Sequence, residues 1–217
     1  MPKSLVVLAL IDICVLALSP ALFAQDLTSV ESFKVGTFAI DHRPSVGLVL
    51  RNDQLIVDLA AANQAIELMP EYRHINMPGD MLGLISEYEY GLKFRVYEIV
   101  NWLVQGNLLN PGHHPHYVHQ LDSVDILAPI QYPSKIMNAA VNFYTHACEG
   151  CSAAELAART QERQDNRGVP YLFLKPTRGA VIGDGDDIII PFGRDRIEWE
   201  VELAIVFGRT GKYISAS

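Results

Sequence analysis

Glu198-Trp199-Glu200-Val201-Glu202-Leu203-Ala204-Ile205-Val206-Phe207 sets three carboxylates at every second position of an otherwise apolar run. Side chains alternate faces along a strand, so this spacing predicts Glu198, Glu200 and Glu202 on one face. Trp199, Val201, Leu203, Ile205 and Phe207 then share the other. Strand propensity does not reward Glu, and close like charges repel. A divalent cation turns that repulsion into ligation, because hard cations take carboxylate oxygens. The run therefore predicts a strand whose acidic face is either solvated or holds a cation.

Working outward, Pro170-Tyr171-Leu172-Phe173-Leu174-Lys175-Pro176 reads as a short buried strand bounded by prolines. Gly183-Asp184-Gly185-Asp186-Asp187 reads as a turn into Ile188-Ile189-Ile190, and Lys135 to Asn142 as a further strand. Phe143 to Arg159 turns helical. Short strands with Gly/Pro turns and one inserted helix suggest a β-roll or barrel. No Gly-Lys-Ser/Thr follows Gly183-x-Gly185, so this is no phosphate loop.

The first half has a different texture. Phe33–Ile40, Val46–Leu50 and Leu55–Leu59 read as strands, with a turn at Asp41-His42-Arg43-Pro44. Ala60–Leu68, a helix capped by Asp80, and Leu92–Val104 read as helices. The expected class is α+β, with an N-terminal α+β domain over 25–120 and a second domain over 121–217. Asn110-Pro111-Gly112-His113-His114-Pro115-His116-Tyr117-Val118-His119 reads as a solvated linker at the end of the first domain. Histidine clusters also bind zinc or copper, which is the alternative use of His113, His114, His116 and His119.

The first residues carry a targeting pattern. Lys3 precedes an apolar stretch from Leu5 to Leu18, interrupted by Asp12 and followed by small residues at Ala21 and Ala24. A membrane span needs about 20 apolar residues, so the stretch reads as a signal peptide over 1–24. Its cleavage would place the mature chain outside the cytoplasm, in a periplasmic or secreted location. The chain is 49% hydrophobic and 19% charged, which suits a packed globular core. A net charge of −8 argues against nucleic acid as a partner. Removing the signal takes Cys14 and leaves Cys148-Glu149-Gly150-Cys151. That C-x-x-C reads as a disulfide in an oxidising compartment, a redox motif, or half a zinc site. No second C-x-x-C exists, which excludes a zinc site built from paired C-x-x-C motifs.

Asn142-Phe143-Tyr144-Thr145-His146-Ala147-Cys148-Glu149 supplies a second constellation. Residues three apart share a helix face, so His146 and Glu149 can pair. A carboxylate that orients an imidazole is what general acid–base chemistry requires.

Three segments together resemble the fumarylacetoacetate hydrolase family. Asn142 to Glu149 is similar to its Asn-Tyr-x-x-His-x-x-Glu, and Pro170 to Pro176 to its Pro-x-Leu-Phe-x-Lys-Pro. Glu198 to Val206 is similar to its (Asp/His)-x-Glu-x-Glu-Leu-x-x-Val. The resemblance covers residues 124 to 217, and 33–59 fit loosely to the small N-terminal β domain of many members. It implies a mixed β-roll that binds Mg²⁺, Mn²⁺ or Ca²⁺. It also implies C–C hydrolysis, decarboxylation, hydration or isomerisation of 2-oxo or β-diketo acids. On that resemblance His146 and Glu149 match the catalytic dyad, and Glu200 and Glu202 match two metal ligands. Lys175 matches a family Lys that lines the substrate site or supports it, and Glu198 stands where members carry Asp or His.

Phe143 departs from the usual Tyr, and the cysteines of the expected lid helix are outside the pattern. Members continue into a segment with a third metal carboxylate, for which this sequence has no counterpart. The resemblance thus implies a truncated β-roll, with weak metal binding and little activity, and a homodimer as in many members. The alternative is an exported, non-catalytic β-rich protein that binds a partner or a transition metal through the four histidines of 113–119.

Overall fold

A computed structural model describes residues 27–215. The signal-peptide expectation over 1–24 lies outside the described residues. The chain is mixed α+β, with antiparallel sheets throughout. Strands β1 (Lys34–Ile40), β2 (Arg43–Leu50) and β3 (Leu55–Asp58) form a meander. Strand β4 (Val118–Gln120) adds to β3, and β5 (Asp125–Leu127) adds to β1. The resulting order is β4-β3-β2-β1-β5, so the sheet draws on residues either side of position 121.

The β1–β2 hairpin turns on Asp41 and His42, both at positive φ (49° and 59°), with Ile40 opposite Arg43. This is the backbone of a two-residue primed turn, whose twist suits paired strands. The expected four-residue turn is therefore shorter, and Pro44 sits inside β2 opposite Ala39, where β3 does not reach.

Alternation then sorts the core. Val46, Leu48 and Leu50 of β2 and Leu55 and Val57 of β3 face the helices. Helix α1 (Leu59–Ile66) contributes Leu59, Ala62 and Ile66, and α3 (Lys93–Gln105) contributes Val96, Ile99, Val100 and Leu103. Val49 and Ile56 face the other way, against Phe38 and Ile40. Asp58 caps α1 through Ala61 N–H, and Asp80 caps α2 (Met81–Glu87) through Gly83 N–H. A π-type turn (Tyr88–Leu92) joins α2 to α3 at Gly91, whose φ is +117°. Among the described residues no helix is long and apolar enough to cross a membrane.

The histidine stretch ends in packed residues. Tyr117 and Val118 are buried, Trp102 stacks on Tyr117, and the Tyr117 carbonyl accepts from Asp58 N–H at 2.9 Å. Burying these apolar side chains fixes the segment, and β4 follows directly.

The second half differs most from expectation. Strands β6 (Ile136–Ala139) and β7 (Leu172–Lys175) make a two-stranded ribbon. Strand β7 is exposed rather than buried along its length. Residues 188–190 and 198–207 form no regular structure, and Trp199, Val201, Leu203, Ile205 and Phe207 are exposed. Alternation specifies which side chains share a face but not which strand supplies the hydrogen bonds, and among the described residues none pairs here. The helix expected over Phe143–Arg159 begins only at Ala153 and runs to Asp165 as α4. Gly150 at φ +77° interrupts the helical path, and the Ser152–Glu155 capping box starts it afresh.

Candidate active site

Residues 140–152 connect the β6–β7 ribbon to α4. Val141 enters this connection at φ +50°, a strained conformation for a β-branched residue. Its carbonyl accepts from Arg163 Nη2 of α4 at 2.9 Å, which fixes the bend from the helix side. A single 3-10 turn (His146–Cys148) follows. It brings His146 and Glu149 together without the α-helix that the spacing predicted.

His146 Nδ1 lies 2.6 Å from Glu149 Oε1, on an exposed face. The Glu149 hydrogen bond and charge raise the His146 pKa above its ordinary value, and the charges of Glu200 and Glu202 push it the same way. Those two carboxylates are 54 and 56 positions from His146 in sequence, so the fold has brought them within electrostatic reach of the imidazole.

A direct link supports that placement. Asn138 Nδ2 of β6 donates to Glu202 Oε2 at 3.2 Å. Asn138 is opposite Phe173 and Ile136 is opposite Lys175, and directly opposed residues share a face. Lys175 therefore lies on the ribbon face that also carries Asn138, with Nζ 5.4 Å from the Phe173 ring centre. Sequence reasoning missed Asn138, because a lone Asn on a short strand gives no signal of a partner at Glu202. Glu198 makes no hydrogen bond to this group among the described residues.

Two carboxylates of one short stretch, with an imidazole and a third carboxylate, are the donor chemistry of a hard divalent cation. Among the described residues no three His, Cys, Asp or Glu side chains converge closely enough to form a metal cluster. The four histidines of 113–119 are likewise not gathered. His114 Nε2 contacts the Leu109 carbonyl, the His116 ring packs edge-on to Tyr117, and His119 sits within β4 opposite Ile56.

The cysteines are joined as a Cys148–Cys151 disulfide. They precede α4 rather than lying on it.

The sequence profile described as "Fumarylacetoacetate (FAA) hydrolase C-terminal" matches residues 135–217, which contain the ribbon, the dyad and the acidic stretch. This part of the chain is similar to the C-terminal domain of the fumarylacetoacetate hydrolase family. Among curated relatives, "Oxaloacetate tautomerase FAHD2A, mitochondrial" of Bos taurus is 32% identical over 96 residues, 43% of this chain and 26% of that protein. An uncharacterized protein of Pyrococcus horikoshii is 36% identical over 85 residues, 39% of this chain and 31% of its own length. The "Fumarylacetoacetate hydrolase domain-containing protein 2 homolog" of Dictyostelium discoideum is 27% identical over 172 residues, 79% of this chain and 44% of its own. The matched regions thus span between about a quarter and less than half of these relatives. The relatives include proteins named as enzymes, and the family match covers the segment that carries His146, Glu149, Glu200 and Glu202.

Proposed function

We propose that this chain carries the acid–base pair and metal-binding carboxylates of an enzyme acting on 2-oxo acids, with keto–enol tautomerisation as the reaction. One observation carries the reading: His146 and Glu149 are paired at 2.6 Å within electrostatic reach of Glu200 and Glu202. The tautomerase name of the cattle relative supports it. Glu200 and Glu202 would hold Mg²⁺, Mn²⁺ or Ca²⁺, which when bound would stabilise negative charge on an enolate-like oxygen. The Nδ1 atom of His146 faces Glu149, which leaves Nε2 as the ring atom that meets substrate. The pair then moves a proton between the carbon beside the carbonyl and the carbonyl oxygen. Lys175, on the ribbon face of Asn138, would attract the substrate carboxylate. Hydrolysis or decarboxylation of β-diketo acids would use the same groups.

The test is the rate of enol-to-keto conversion of oxaloacetate, with Mg²⁺, with Mn²⁺ and with chelator. Metal-dependent acceleration is expected, with a loss of roughly 10²–10⁴-fold in His146→Asn. A full rate in chelator, or in a His146→Asn/Glu149→Gln double variant, would overturn the reading. Export after cleavage near Ala24 and self-association into a dimer complete the proposal. N-terminal sequencing of the cell-envelope or medium fraction and sedimentation of the purified chain check them.

A further inference from the structure

The four residues of the C-x-x-C form a β-turn of a definite kind. Glu149 has φ −59° and ψ 129°, Gly150 has φ +77°, and Cys151 N–H donates to the Cys148 carbonyl at 3.1 Å. Those values describe a type II turn, with Glu149 and Gly150 as its central residues. The disulfide joins the two corners, whose Cα atoms are 5.4 Å apart. Glu149, one member of the His146 pair, is therefore enclosed in a covalent ring.

Among the described residues little else holds Glu149 in place. Its side chain is 74% exposed, and the group it bonds is the His146 imidazole. Both flanks of the ring are anchored. Cys148 is buried at the end of the 3-10 turn that begins at His146, and Cys151 precedes Ser152, the cap of α4. A cross-link between two anchored corners sets the direction in which the Glu149 side chain leaves the turn.

We propose that the Cys148–Cys151 disulfide is the positioning element of the His146–Glu149 pair, and that a dithiol reductant uncouples the pair by opening it. This inference rests on the catalytic reading of that pair. Cys151 is the more accessible sulfur, since Cys148 is buried. A reductant thiolate attacks Cys151 Sγ, the S–S bond breaks, and Cys148 leaves as a thiolate that takes up a proton. The second thiol of the reductant resolves the mixed disulfide and releases Cys151. Two electrons pass from the dithiol to the cysteine pair. The open turn then relies on one backbone hydrogen bond, and Glu149 samples directions that do not meet the imidazole. Cys148 and Cys151 are positioning residues here, because neither touches substrate in this scheme.

The experiment uses the whole chain, oxidised and after treatment with dithiothreitol, beside a Cys148→Ser/Cys151→Ser variant. Thiol mass labelling establishes the redox state. The His146 ring-nitrogen resonances, assigned by their loss in His146→Asn, report the hydrogen bond to Glu149. Steady-state turnover of oxaloacetate reports chemistry. Reduction should move the His146 signals to those of Glu149→Ala and lower kcat by roughly tenfold or more, with KM little changed. The serine variant should match the reduced protein under both conditions. Unmoved His146 signals on complete reduction, or free thiols in the oxidised preparation, would overturn the proposal. A shift of the His146 signals in a protein that never turns over oxaloacetate would uphold the positioning and sink the catalytic reading instead.

Discussion

Asn138 and Glu202 meet across 64 residues: Nδ2 of the strand residue donates to Oε2 of the acidic stretch at 3.2 Å. That bond ties a segment without strand partners among the described residues to the β6–β7 ribbon, and so fixes one of the two proposed metal carboxylates. Groups that orient a ligand influence affinity without touching the metal. Asn138→Ala should therefore weaken Mg²⁺ or Mn²⁺ binding by roughly 10-fold to 100-fold. Asn138 is partly exposed, so the melting point should barely move. Calorimetric metal titration beside thermal unfolding separates the two effects, and equal affinity in both proteins would remove Asn138 from the site.

The His146 pair sets a second expectation. Glu149 raises the imidazole pKa above 6.5 through its hydrogen bond and its charge. The ion pair therefore contributes fully below the unfolded pKa of about 6.5, and the contribution is lost as pH rises through the raised folded value. Glu149→Gln should lower the His146 pKa toward its ordinary value. The residual upward push from Glu200 and Glu202 should remain, and neutralising both in the Glu149→Gln background should lower it further. An NMR titration of the imidazole reads each step, and an unchanged midpoint in Glu149→Gln would rule out the pairing in solution.

Local physics explains which features were legible in the sequence. The hairpin strands, α1, and the Asp80 cap follow from residues adjacent in the chain, and most of their ends stand within a residue or two of expectation. The His146–Glu149 pair was also legible, since a separation of three brings side chains together in a 3-10 turn as it does in an α-helix. What failed was non-local. The periodicity of 198–207 says nothing about a partner strand, and that stretch has none among the described residues. The Val118–Gln120 strand was hidden by the prolines and histidines that precede it, because its order comes from Tyr117 and Val118 packing on distant helices. The Asn138–Glu202 bond left no trace in either local sequence.

Glu67 is a buried-edge hub with an acid-stability consequence. Its Oε1 accepts from Ile75 N–H at 2.7 Å and from Asn63 Nδ2 at 3.0 Å, and its Oε2 lies 2.7 Å from His74 Nδ1. The Ile75 amide, with His74 and Asn63, holds the carboxyl below its ordinary pKa against the opposing effect of burial. A lowered folded pKa means that the contribution is present above about pH 4.5 and is lost as pH falls through the folded value. Glu67→Gln should flatten the acid limb of the stability profile below that pH. Glu67→Ala should cost about 1–3 kcal/mol at neutral pH by stranding the Asn63 and Ile75 donors. Urea unfolding between pH 3 and 7 checks both, and parallel acid limbs in wild type and Glu67→Gln would refute the assignment.

Gly47 is tightly covered by two core side chains. It lies within β2, and a Cβ built there would stand 2.7 Å from Phe38 Cδ2 and 2.8 Å from Ile56 Cγ2. Neither neighbour can give way cheaply. Phe38 is 3% exposed and Ile56 fully buried, and both belong to the core cluster on the face away from the helices. The Phe38 ring also covers Gly36, so rotating it away from Gly47 only transfers the clash along β1. Gly47→Ala should therefore destabilise by about 1–3 kcal/mol through overpacking, although Ala ordinarily suits a strand better than Gly. Truncating the neighbour provides the control. In a Phe38→Leu background the same change should cost less, and a double-mutant cycle by thermal unfolding measures the difference. Strict additivity would mean that the Phe38 ring does not fill the space above Gly47.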